Sequence, residues 1–491
     1  MGRWQPSGTV ESSDVDGWES ARAGKPAPAR PGRPPRPYAG DESALARAGG
    51  KPAPTRAGKP APTRASKPAA ASAGREAPAR PRAEPQDPGQ RRPLSHVGGR
   101  IERLEGPEEL TSVIRRCLSV HPERGVRDHV HGFHSYPARL HPGTAGRLIE
   151  AFAPPRGQVA DPFCGCGTVL IEARRLGRSA LGLDLNPLAV RLTRFKAHPL
   201  DEAQRHELLA AAMHVAEGAE ERRTAAVGPT RQYDPDERAE FDIHVLLELD
   251  GLAHGIRKQP MGPIRHGLLL ALSSIFSKVA RQQNAAGGKR LASGFTLRFF
   301  VSRVEELARQ LAEYEALLPA GVPEAHCQEG DARQLDRLGW RNVDLFISSP
   351  PYPGVLDYAD YHRTRLRWLG LDGAELERQE LGSRRALQRL DHAAAAERWE
   401  QDFTLVLTAM RRALAPEGRA ALVLADSMLA GEPYPADEVL ERCGKRAGLR
   451  VLARGSQRRA HFHADSASAF GRRPRYEHLL LLGHGAAPAA G

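Results

Sequence analysis

The chain has 491 residues, of which 40% are apolar and 5% aromatic, with 40 prolines and 48 glycines; this favours one enzyme-sized domain with attachments over two or three full domains. The formal charge of +12 is concentrated early: residues 1–99 hold 17 basic and 9 acidic side chains, about +8, so the remainder carries only about +4 and its basicity is weak evidence for a nucleic-acid partner. With no apolar run of membrane-spanning length, no apolar leader and five scattered cysteines, a transmembrane protein and a disulfide scaffold are excluded, and a cytoplasmic protein with reduced thiols is expected.

Residues 1–99 cycle through Pro, Ala, Gly, Arg and Lys without periodicity, with Lys51, Lys59 and Lys67 opening similar units, and read as a disordered basic tail. Helices are expected over Pro107–Leu118 and Gly143–Ala153. Strand and helix signals then alternate: strand Gln158–Asp161, helix Thr168–Leu176, strand Ser179–Leu183 and helix Leu188–Lys196. Residues 199–323 break the alternation with helical spacing over Glu202–Ala219, Gly267–Gln282 and Phe295–Leu317, and Gln282–Ser293 reads as a mobile basic loop. Alternation resumes with strand Val343–Ser348, helix Phe403–Leu414, strand Arg419–Leu424, helix Glu438–Ala447, and closing strands Leu449–Ala453 and Glu477–Leu482. Such alternation implies a mostly parallel sheet with helices on both faces and ligands at the carboxyl ends of its strands.

Asp161-Pro-Phe-Cys-Gly-Cys-Gly-Thr168 lies between a strand and a helix, where glycines let a ligand approach the backbone and the helix start offers free N–H groups; a purely structural turn is the alternative. Asp184, at the end of the next strand, is placed to accept ribose hydroxyls, or else caps a helix. Asp331 in Gly330-Asp-Ala-Arg333 is placed for an adenine amino group, or is a turn aspartate. In Ser349-Pro350-Pro351-Tyr352, directly after a core strand, the prolines fix the backbone so that carbonyl and Ser349 oxygens can hold the hydrogens of a neutral amine, while Tyr352 offers a face for a base outside its helix. His129, His131, His134 and His141 lack the spacing of a metal site, and no metal is expected. Cys164 and Cys166 read as small buried turn residues. His461-Phe462-His463 with Arg458 and Arg459 reads equally as a contact for substrate phosphates or as a solvated loop.

Asp161–Thr168 resembles motif I of S-adenosylmethionine-dependent nucleic-acid methyltransferases, and Ser349–Tyr352 resembles motif IV of their amino-methylating class. Ser-Pro-Pro-Tyr is the form typical of N4-cytosine DNA enzymes, Asp-Pro-Pro-Tyr that of N6-adenine enzymes. Phe133-His134-Ser135-Tyr136-Pro137-Ala138 is similar to the family's motif X, at the methionine end of the cofactor. The stretch Tyr352–Gly370, with Leu356-Asp357-Tyr358 and Trp368-Leu369-Gly370, also resembles DNA modification methylases.

The resemblance implies a Rossmann-like methyltransferase fold of the α/β class with a mostly parallel seven-stranded sheet. Its parts would be the tail 1–99, a cofactor part at 100–198, a helical insert at 199–323 able to recognise substrate, a catalytic part at 324–484, and a flexible tail at 485–491. It implies S-adenosyl-L-methionine held by Phe133, His134, Tyr136, Pro137, Asp161, Phe163, Gly165, Gly167, Thr168, Asp184, Asn186, Asp331 and Ala332, with Ser349, Pro350, Pro351 and Tyr352 catalytic. The expected reaction is methylation of cytosine N4 in DNA, with a restriction partner as a possible companion. Asp-Pro-x-Cys-Gly-x-Gly-Thr followed by Ile171-Glu172-Ala173 is similar to guanine-N2 RNA methyltransferases, so RNA stays open as the substrate in place of DNA. The same motifs would also suit N6-adenine methylation of DNA, or a nucleic-acid-binding protein that keeps the fold without turnover.

Overall fold

The computed structural model describes residues 99–281, 291–461 and 464–485. The tail through residue 98, the basic stretch 282–290, Phe462 with His463, and the terminal residues 486–491 lie outside the described residues.

The described chain opens with β1 (Ile101–Glu105), α1 (Glu108–Leu118) and α2 (Pro142–Phe152). Proline suits the start of α2 because the first turn needs no donor there, and His141 Nδ1 accepts from the Gly143 amide at 3.0 Å. Two strand–helix units follow: β2 (Gln158–Asp161), α3 (Thr168–Arg175), β3 (Ser179–Asp184) and α4 (Pro187–Ala197). Five helices then run without a strand: α5 (Glu202–Thr224), α6 (Pro235–Glu240), α7 (Ile243–Arg257), α8 (Pro263–Val279) and α9 (Phe295–Leu317). The buried carboxylate of Glu248 on α7 accepts from the Gly294 and Thr296 amides at 2.5 and 3.2 Å, satisfying the start of α9.

The sheet resumes with β4 (Ala325–Glu329) and β5 (Val343–Ser348), followed by α10 (Tyr358–Leu369), α11 (Ala374–Gln379), α12 (Arg384–Leu387) and α13 (His392–Ala413). Next come β6 (Leu414–Ala425), a small hairpin of β7 (Ser427–Leu429) and β8 (Glu432–Tyr434), and α14 (Ala436–Arg446). The last elements are β9 (Leu449–Arg459), α15 (Ala464–Phe470) and β10 (Arg475–His484).

The sheet order is β1-β9-β10-β6-β5-β2-β3-β4. From β6 to β4 neighbours pair in parallel, while β10 is antiparallel to both β6 and β9. This is the mostly parallel Rossmann-like arrangement that the resemblance implies, with one correction: eight strands pair, not seven. The added β1 joins β9 antiparallel at the edge, with Leu104 opposite Gly455. Its sequence, Ile-Glu-Arg-Leu-Glu, lacks strand alternation, and only the open edge of β9 makes it a strand.

Both sheet faces are buried, and the two-residue period sorts side chains between them. Leu345, Ile347, Leu479 and Leu481 pack with α1, α2 and α3, whereas Phe346, Leu480 and Leu482 pack with α13 and α14. A further core joins α5, α7, α8 and α9. Among the described residues, α6, α7, α10, α11, α12 and α15 have no counterpart in the sequence reading. α7 is buried on several sides, so its apolar residues form no single stripe, and α10 is mostly polar. No helix among the described residues is long and apolar enough to cross a membrane.

Candidate active site

The strand order reverses between β2 and β5, and a crevice opens beyond their carboxyl ends. Ser348 Oγ donates to Asp161 Oδ1 at 2.7 Å, tying the end of β5 to the end of β2. The same carboxylate oxygen accepts from the Phe163 amide at 3.0 Å. Burial pushes Asp161 up to about 7 against these two bonds. Asp161 therefore shapes the loop from behind the cavity wall.

Two glycines make the loop possible. Gly165 has φ +51° and Gly167 φ +85°, and a Cβ on Gly167 would lie 2.8 Å from Thr193 Oγ1. Gly165 lines the cavity and donates its amide to Asp184 Oδ2 at 2.8 Å. Asp184 Oδ1 accepts from the Asn186 amide at 2.9 Å, and burial raises the carboxyl to about 6. Asn186 starts α4 by accepting from Leu188, and its Nδ2 reaches the Tyr136 hydroxyl at 3.3 Å. Tyr136 is held from its other side by the His362 ring, 4.9 Å between centroids.

The cavity gathers Tyr136, Phe163, Gly165, Asp184, Asn186, Asp331 and Ala332 of the expected cofactor residues, with Ser349 and Pro351 of the expected catalytic ones. The Asp331 carboxylate is gripped by Arg333, whose Nη2 lies 2.7 Å away and whose Nη1 reaches Asp402 at 2.8 Å. Part of its acceptor capacity is thus already used.

Other expected residues lie behind the wall. Phe133 is fully buried beside Arg303, which also donates to the Phe133 carbonyl, and His134 Nε2 pairs with Ser273 Oγ at 3.0 Å. Both are drawn inward by α8 and α9, so they are corrected from wall to support. Pro137, Gly167 and Thr168 are also absent from the lining, as are Pro350 and Tyr352. The Tyr352 ring is buried, and its hydroxyl donates to Glu477 Oε1 at 3.0 Å while accepting from Ser349 Oγ at 3.4 Å. An open stacking face was expected there; the Glu477 anchor holds the ring in the core.

His129, His131, His134 and His141 are buried, and the ligating atoms of His129, His131 and Glu172 lie within 4.8 Å of one another. Both Glu172 oxygens are engaged, Oε1 with His131 at 2.9 Å and Oε2 with Arg175 at 2.8 Å; burial opposes the charge, but these partners hold the carboxyl down to about 2. Cys164 and Cys166 are buried turn residues, with Cys164 Sγ 3.6 Å from Cys327 Sγ.

Much of the remaining wall comes from a segment the sequence did not single out as a site. Tyr358, Leu376, Gln379, Glu380 and Leu381 face the cavity. Glu380 Oε1 accepts from the Tyr358 amide at 2.5 Å, and burial raises Glu380 to about 7. Tyr358 stood in a stretch resembling modification methylases; nothing marked Glu380, one acid among many on short polar helices.

Residues 90–195 match the family model described as DNA methylase. Over 82 residues the chain is 32% identical to Type II methyltransferase M.MvaI of Kocuria varians, covering 16% of this chain and 18% of that relative's length. The resemblance to amino-methylating DNA methyltransferases read from the motifs stands on these two matches. Among solved structures, the rRNA methyltransferase aviRa of Streptomyces viridochromogenes aligns with 71% of this chain and 88% of its own, at 14% identity and TM-score 0.28. A TehB-like SAM-dependent methyltransferase of Corynebacterium glutamicum aligns with 69% and 86%, at 12% identity and TM-score 0.26. At such scores these alignments add nothing to the strand order.

Proposed function

We propose that this chain transfers the methyl group of S-adenosyl-L-methionine to the exocyclic N4 amine of cytosine in DNA. The observation that carries the reading is that Ser349 and Pro351 share one cavity with Gly165, Asp184 and Asp331. The amine-holding loop and the acidic strand ends thus meet in a space bounded by a few side chains.

The residues fit the cofactor. Asp184 accepts from the Asn186, Gly165 and Leu185 amides, and a carboxylate offers about four acceptor positions, which leaves capacity for a ribose hydroxyl. Phe163, Leu185, Leu376 and Leu381 give the apolar sides that a purine needs. A Cβ on Gly330 would lie 3.0 Å from Leu183, so the backbone there is bare at the wall. When bound, the cofactor supplies an electrophilic sulfonium methyl.

The protein's work is then to hold the amine. The Ser349 hydroxyl directs its hydrogen toward Tyr352, and Tyr352 directs its own toward Glu477. This leaves the Ser349 lone pairs as acceptors for an amine hydrogen. The contact strengthens as the nitrogen becomes positive, so it stabilises the transition state more than the bound substrate. Tyr352 acts here as a positioning residue, and the hydroxyl at 349, in place of a carboxylate, favours cytosine over adenine.

The test is mass spectrometry of nucleosides from DNA and RNA incubated with the full chain and isotopically labelled cofactor. N4-methylcytosine in DNA is expected. N6-methyladenine in DNA would overturn the choice of base, and N2-methylguanosine in RNA with unmodified DNA would overturn the reading as a whole.

A further inference from the structure

Away from the cavity, positive charge collects in a groove where β9 ends and β10 begins. Arg458, Arg459, His461, Arg472, Arg473 and Arg475 line it, and no acidic residue stands on its wall among the described residues. Its floor is built rather than loose. Arg459 is buried in an ion pair with Glu477, and Arg475 is anchored through Nε to the Asp426 carbonyl at 2.9 Å and through Nη1 to the Ala460 carbonyl at 3.3 Å. Its rim is exposed. Arg472 and Arg473 have no carboxylate at salt-bridge distance among the described residues, and the 62% exposed Arg458 only approaches Glu102, at 3.7 Å.

Five guanidinium groups on one wall repel one another, and burial together with the Arg459 charge draws Arg475 below the usual arginine range. An anion in the groove would relieve that repulsion, and guanidinium forks match phosphate oxygens.

The groove is also joined to the candidate active site. Arg459 pairs with Glu477, Glu477 accepts from Tyr352, and Tyr352 accepts from Ser349, so two side chains separate the groove floor from the amine-holding serine. We propose that this groove binds the phosphodiester backbone of the substrate DNA strand beside the target nucleotide, an inference that rests on the DNA methylation reading above. Phosphate contacts would set the register of the strand, and Arg459 would couple that register to the loop that holds the base.

The test compares the full wild-type chain with the Arg472→Ala/Arg473→Ala double variant, both positions being exposed and outside the core. Binding to a fluorescein-labelled DNA duplex is followed between 50 and 200 mM salt, alongside KM for DNA and calorimetric affinity for S-adenosylmethionine. Two lost phosphate contacts should lower the slope of log affinity against log salt by about 1.8 and weaken DNA binding at least tenfold, by the roughly 0.9 per phosphate of B-DNA. KM for DNA should rise while cofactor affinity stays within twofold. Arg412→Ala, at the exposed end of α13 and away from both the groove and the helical insert, is the charge control and should change DNA affinity less than twofold. Wild-type affinity and slope in the double variant, or an equal loss in the Arg412 control, would overturn the groove. A failed methylation reading shows separately, because wild-type protein would then leave DNA unmethylated, whereas a failed groove leaves DNA methylation intact in both proteins.

Discussion

Two of the stretches that wall the cavity differ in what their sequence reveals. Residues 158–197 contribute a glycine turn and acids at strand ends, so Gly165, Asp184 and Asn186 stand on the wall where the spacing places them. Residues 352–381 contribute Tyr358, Leu376, Gln379, Glu380 and Leu381 from two short helices and their flanks, with no spacing that announces them. The contrast is between residues required by backbone geometry and residues that arrive by folding back. Few residue types can adopt the φ of +85° at Gly167 or cap a strand end as Asp184 does, so such positions carry a signature. Any chain of suitable shape can close the other side.

The sharpest way to break this contrast is at Ser349, which lines the same cavity as both stretches. Ser349→Ala is expected to lower kcat by about 100-fold or more, comparable to losing one preorganised hydrogen-bond partner, with S-adenosylmethionine affinity unchanged within twofold. Single-turnover kinetics with calorimetry checks this, and an equal loss in cofactor affinity would move Ser349 out of the transferring site.

Asp184→Asn probes the legible stretch alone. It keeps the side-chain shape but weakens the acceptors facing the cavity, and cofactor affinity should fall on the order of 10-fold to 100-fold, the worth of hydrogen bonds to a charged group. Calorimetry paired with a thermal melt separates lost binding from lost fold; unchanged affinity would remove Asp184 from the cofactor wall.

Tyr352→Phe tests the relay behind Ser349. The ring keeps its place in the core, while the hydroxyl between Ser349 and Glu477 is gone. A fall in kcat of about fivefold to tenfold is expected, the worth of one modest hydrogen bond, with DNA KM little changed. A KM-dominated effect would instead favour a role in holding the base.

The smallest effect belongs to the stretch without a signature. Glu380 is raised to about 7 by burial, so its protonated form is the one the fold favours. The resulting stability is present below the ordinary carboxyl range near 4.5 and is lost as pH rises through about 7. Asp161, at about 7, and Asp184, at about 6, act in the same direction. Glu380→Gln should therefore remove part of the decline in the melting temperature of the ligand-free protein between pH 4.5 and 7, on the order of 1 kcal/mol, as measured by calorimetric scans. An unchanged pH profile would show that Glu380 is solvated as the folded protein breathes.

From sequence alone, the alternation of two-residue and helical periods determined the α/β class and placed β2, β3, β5 and the helices after β2 and β3. These patterns are local, because a strand buried on both faces must be apolar and a tight turn must carry glycine. Tertiary structure decided the rest. β1 is a strand only because β9 offers it an edge, and Phe133 and His134 turn away from the cavity because Arg303 and Ser273, some 140 to 170 positions further along, hold them. The Ser349–Tyr352–Glu477–Arg459 connection likewise joins residues from β9, β10 and the loop after β5. Such contacts depend on which strands become neighbours, and the order of a sheet is set by packing across the whole domain, which no local period encodes.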